Sequence, residues 1–163
     1  MRKKLLCAGL AVLLIYASCS APKKVANNYY THKTECVSVE LDGTQIVNAW
    51  SNTAETVTVI EQAKKNAIND ILFGGIVEGK ATCDVKPILA QANIKAQNEA
   101  YFNKFFADGG EYRNYAFIKD DQVELNFSKD PEYAKRMINS GFVIKIKKPD
   151  LKQKMIADGI LKQ

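Results

Sequence analysis

The chain has 163 residues, a formal net charge of +5 and four cysteines, and 47% of its residues are hydrophobic. Three of its 23 basic residues fall in the first four positions and all 18 acidic ones follow Cys19, so from Cys19 onward the balance is only +2. A charge that small and that dispersed argues against a nucleic-acid partner, which needs a clustered basic face.

Arg2, Lys3 and Lys4 precede an apolar run from Leu5 to Tyr16. As a helix this run would reach roughly 18 Å, short of the ~30 Å hydrocarbon core of a bilayer. The small residues Ala17 and Ser18 then stand directly before Cys19. A basic start, an apolar middle and a small-residue end predict a cleaved secretory signal over residues 1–18. Tyr16-Ala17-Ser18-Cys19 resembles the box that ends bacterial lipoprotein signals. Tyr16 replaces the leucine that the family prefers, a looseness similar to that of Bacteroidetes lipoproteins. The resemblance implies a lipid on Cys19 as membrane anchor; without it, the segment is an ordinary signal cleaved nearby. Ser20, in place of an inner-membrane-retaining Asp, implies the outer membrane. Lys23 and Lys24 stand where a surface-export tag would be acidic, which implies a protein facing the periplasm.

Residues 19–34 read as a lipidated tether, polar and without an apolar period. Residues 35–163 are enough for one domain with its own core. Cys36 and Cys83 fall in that domain. Export to an oxidising compartment makes them candidates for a disulfide, with two buried free thiols as the other reading.

Cys36 to Leu41 alternates, with Val37, Val39 and Leu41 on one face, and predicts a half-buried strand. Asp42-Gly43 predicts a hairpin turn, and Gln45 to Ser51 the returning strand. Asn52-Thr53 supplies a cap for a helix over 54–73, with Val57, Ile60, Ala63, Ala67, Ile68, Ile71 and Leu72 on its apolar stripe. Gly74-Gly75 ends it. Residues 76–87 read as irregular, 95–107 as a second helix, 112–118 as a strand and 119–131 as a polar loop holding at most a short strand. Residues 141–147 predict a strand with Phe142, Ile144 and Ile146 inward, and Pro149 opens a last helix carrying Leu151, Met155, Ile156 and Ile160. The order β-β-α-(loop)-α-β-β-α predicts an α+β fold, a small, mostly antiparallel sheet with helices packed on one face. The strand pair followed by Ala63-Lys64-Lys65-Asn66-Ala67-Ile68 resembles the amino-terminal domain of flagellar assembly protein T and related small envelope lipoproteins. That resemblance implies fold and envelope location, and it carries no catalytic residues.

The only histidine, His32, falls in the tether, where it would be poorly held as a catalytic base. Both glycine pairs follow helices, whereas phosphate-binding glycines precede one. His32, Cys36, Cys83 and Asp84 lack the paired spacing of a metal site, and Asp120, Asp121, Glu124 and Asp130 lack the pattern of a calcium loop. Eighteen acidic residues select no particular catalytic pair. Among the aromatics, Tyr101 and Phe105 are candidates for ligand contact, with core packing as the competing role. Lys145, Lys147, Lys148, Lys152 and Lys154 form the densest basic cluster. The expectation is a non-enzymatic, lipid-anchored adaptor or accessory subunit that binds another envelope protein or cell-wall component. No metal or cofactor is expected. The alternative is a periplasmic glycan- or peptide-binding module.

Overall fold

The computed structural model describes residues 34–51, 59–120 and 130–162. Two strands, β1 (Glu35–Val39) and β2 (Gln45–Ala49), form the predicted hairpin. Its turn is closed by Gly43 N–H donating to the Glu40 carbonyl at 3.0 Å and Glu40 N–H donating to Thr44 at 2.8 Å. Gly43 has φ +84°, and a Cβ there would come within 2.9 Å of Pro149. Glycine therefore both shapes this turn and lets it approach the start of the last helix.

Helix α1 runs over Val59–Asn69 and widens into a π turn over Asp70–Gly74. The expected stripe holds where it is described: Ile60, Ala63, Ala67, Ile68, Ile71 and Leu72 are all buried. The cap Asn52-Thr53 and Val57 lie outside the described residues. Gly75 ends the helix at φ +76°, where a Cβ would meet the Val85 carbonyl at 2.1 Å.

Other expectations need correction. The stretch expected to be irregular contains β3 (Glu78–Gly79), which pairs parallel with β1. The second helix is two pieces, α2 (Ile94–Gln97) and α3 (Glu99–Phe105), offset at Asn98 with φ −120°. Residues 111–114 form a 3-10 turn, leaving only β4 (Ala116–Ile118) as strand. The fully buried Tyr112 donates its hydroxyl to Glu61 of α1, so that stretch folds over the helix instead of extending along the sheet.

Residues 121–129 are outside the described set, and Pro131–Ser140 is a helix, α4, which begins where the expected loop ends. Asp130 caps it, its carboxylate accepting from the N–H groups of Glu132 and Tyr133 at 2.9 and 3.1 Å. The last two elements, β5 (Phe142–Ile146) and α5 (Lys148–Ala157), fall where expected.

The strand order is β3-β1-β2-β5-β4. β1–β2, β2–β5 and β4–β5 pair antiparallel, so the fold is α+β with a mostly antiparallel sheet. Helix α1 packs across β2, β5 and β4. Cys36, Val47, Ala49, Phe142, Ile144, Ile146, Ala116 and Ile118 of the sheet share one core with it. β1 does not keep the alternation expected of it. Cys36 is buried, whereas Val39 is 38% exposed and Leu41 fully exposed. The register shifts between Cys36 and Ser38, a bulge that breaks the simple alternation.

Candidate functional site

Cys19 and His32 lie outside the described residues. Cys36 and Cys83 are brought together as a disulfide, with sulfurs 2.12 Å and Cα atoms 5.8 Å apart. The bridge fixes the loop after β3 to the edge of the sheet. The same loop is held by Lys148 at the start of α5. Its buried ammonium donates to the Asp84 carbonyl at 3.1 Å, the Asp84 carboxylate at 3.0 Å and the Lys86 carbonyl at 2.8 Å. Lys148, with the N–H of Lys86, holds the Asp84 carboxyl below its usual range.

The two aromatic candidates belong to the interior. Phe105 is 2% exposed, stacked with Tyr101 and Tyr115 and edge-on to Phe106. Tyr101 is half-buried, and its hydroxyl donates to Asp158 at 2.6 Å. Burial and that bond raise its pKa well above the ordinary phenol value. Helix α3 thus supplies core packing through Phe105 and, through Tyr101, a strut to the end of α5.

A second polar network joins α1 to the 3-10 turn. Glu61 accepts from Tyr112 and Arg113 and pairs with Lys64. Burial alone would raise the Glu61 pKa, but the bonds from Tyr112, Lys64 and Arg113 outweigh it and hold the carboxyl below its usual range. This carboxylate accepts three bonds and has a lowered basicity, which disfavours general base work. No group of three or more His, Cys, Asp or Glu side chains is placed to hold a metal among the described residues.

Among the described residues, a surface suited to a partner lies at the hairpin end of the sheet. Glu40, Asp42, Thr44, Phe117, Lys145 and Lys147 line a shallow, open depression of about 300 Å³. The register explains their convergence: Phe117 of β4 lies opposite Lys145 of β5, which lies opposite Ile46 of β2. Lys145 then reaches Glu40 at 2.9 Å. Asp42 accepts from the Thr44 N–H at 2.8 Å and from its hydroxyl at 3.0 Å, which together lower the Asp42 pKa. A carboxylate made less basic in this way is a poor activator of the Thr44 hydroxyl; the pair is a turn motif. The ammonium of Lys147 lies 5.1 Å from the centre of the Phe117 ring. The depression thus offers a cation, an aromatic face and fixed polar groups, which is a vocabulary for binding.

No protein-family model, no curated protein and no solved structure matches this chain. Among the described residues, no helix is long and apolar enough to cross a membrane.

Proposed function

We propose that this chain is a lipid-anchored protein of the bacterial envelope, held at the outer membrane through Cys19 and facing the periplasm. Its domain acts as a non-enzymatic adaptor or accessory subunit that binds another envelope component. The observation that carries this reading is the hairpin end of the sheet. There Leu41 is fully exposed and Phe117 is 40% exposed, beside an open depression rather than an enclosing pocket. Ligand pockets enclose most of a small molecule, whereas exposed apolar side chains rimmed by polar ones suit a macromolecular surface. The disulfide is consistent with export to an oxidising compartment.

The test of the anchor is fractionation of the native host expressing the full chain or its Cys19→Ala variant, with metabolic labelling by a palmitate analogue. The wild type is expected in the outer membrane and labelled, and the variant released and unlabelled. Identical soluble fractionation of the two would end the anchored reading.

A further inference from the structure

Building on the adaptor reading, we infer that the hairpin end is the docking surface and points away from the anchored end of the domain. Its partner is an envelope protein presenting an acidic residue beside an apolar one.

Topology supplies the direction. The chain enters the domain at the buried Thr34, whose N–H and hydroxyl donate to Asp70 at 3.3 and 2.6 Å. From that point β1 runs away from the entry. Five residues of strand cover roughly 17 Å at about 3.4 Å each. The register places Gln45 of β2, Ile146 of β5 and Ala116 of β4 in one row at the far end. The 40–44 turn, Phe117 and Lys147 therefore gather at the end of the sheet opposite Thr34. A tether of fourteen residues between Cys19 and Thr34 reaches at most about 50 Å. A chain held from the Thr34 end presents this surface outward.

Charge supplies the partner's chemistry. Lys145 is committed to Glu40, and Asp42 is folded onto its own turn by Thr44. Lys147 has no carboxylate partner among the described residues, and its ammonium rests over an exposed aromatic ring. A carboxylate arriving there forms a charge-assisted bond with Lys147, while an apolar neighbour covers Phe117. Leu41 extends the apolar contact beyond the depression.

The experiment is site-specific photocrosslinking of the full-length, anchored chain in its native host, with the crosslinking residue at Leu41 or, as the control, at Val77. Val77 is 69% exposed and adjoins Glu78, which pairs with Glu35 at the entry end of β1. The expected result is an adduct from Leu41 to a protein peptide containing Asp or Glu beside an apolar residue. Lys147→Glu should lower its yield at least tenfold, while the same charge change at the exposed Lys152 of α5 leaves it intact. Equal losses from both variants, no loss from Lys147→Glu, a peptide without acidic residues or a glycan adduct would each overturn the inference. Adducts from Val77 alone would leave the adaptor reading standing and sink this one. No adduct from either position would count against both.

Discussion

Removing the Cys36–Cys83 bridge should cost this domain a large part of its stability, and most of that loss should arise in the unfolded chain. The bridge joins positions separated by 47 residues, closing a 48-residue loop when both ends are counted. The chain-entropy relation assigns such a loop about 4 kcal/mol. A domain's total stability is about 5–15 kcal/mol, so the loss is of decisive size. The competing account is local: without the bridge, the loop after β3 comes away from the folded sheet. Other bonds oppose that. Ile88 and Leu89 donate N–H groups to the Ile71 and Leu72 carbonyls at 3.0 and 2.8 Å, and Lys148 grips the loop at Asp84 and Lys86. The assay is urea unfolding of the exported Cys19→Ala form with and without Cys36→Ala and Cys83→Ala, followed by the fluorescence of the single tryptophan, Trp50. With a urea dependence of about 2 kcal/mol per molar, the midpoint should fall by about 2 M. Amide exchange at Ile88 and Leu89 should stay tied to global unfolding. Midpoints that agree within about 0.3 M would refute the reasoning, since the cross-link would then restrain nothing. Fast exchange at those two amides under native conditions would show that the bridge holds the loop itself.

Two further perturbations test the polar interior. Lys148→Met retains the aliphatic stem but leaves the Asp84 and Lys86 carbonyls without their donor. At about 1 kcal/mol for each of the two bonds to carbonyls, with little added by the exposed Asp84 carboxylate, the cost should be about 2 kcal/mol, and calorimetry should show Tm lower by roughly 6 °C; an unchanged Tm would exclude the clamp. Tyr112→Phe deletes the hydroxyl that bonds to Glu61, at a cost of about 1 kcal/mol at neutral pH. Because the folded Glu61 pKa lies below its ordinary value of 4.5, its contribution is complete above that value and is lost as pH falls through the lower folded one. The Phe variant, in which the Glu61 pKa is lowered less, should therefore lose less stability than wild type as pH falls through that range. At the alkaline end, the wild-type phenol is pushed up to about 12 from 10.0, so its contribution is present below 10 and lost as pH rises through the folded value. That alkaline loss should disappear in Tyr112→Phe, and matching profiles for the two proteins would remove Tyr112 from the account.

Elements governed by a single period were legible in the sequence, and those governed by partners were not. The stripe of α1 and the inward set Phe142, Ile144 and Ile146 follow from 3.6- and 2-residue repeats, and all their described members are buried. β1 misled because alternation assumes an unbroken pleat. One bulge after Cys36 sets Ser38 opposite Ile46 and Val39 opposite Gln45, on the face of Cys36 and Val47, while Leu41 lies past the strand in solvent. Residues 111–114 misled because a strand-like run of aromatics carries no mark of the Glu61 carboxylate that captures Tyr112 from 51 residues away. Helix α4 was legible: Asp130-Pro131-Glu132 places a cap, a first-turn proline and a first-turn acid in order. The polar composition around it concealed that signal.

The basic cluster shows why the site was harder to read than the fold. Lys145, Lys147, Lys148, Lys152 and Lys154 look alike in one dimension, as one solvated or anion-binding patch. In three dimensions their environments differ. Lys148 is buried and holds a loop, and Lys154 bridges Glu111 and Asp158 at 2.7 and 3.1 Å, leaving it tied to α5 and the 3-10 turn. Lys145 is paired with Glu40 across the sheet. The cluster thus dissolves into three structural cations and two that lack carboxylate partners among the described residues. Of those two, only Lys147 stands over an aromatic ring in the depression. A count of like charges along a sequence gives an upper bound on the charge available to a partner. The available part is what remains after the fold has paired its own ions, and here that remainder at the hairpin end is a single side chain whose reversal can be measured.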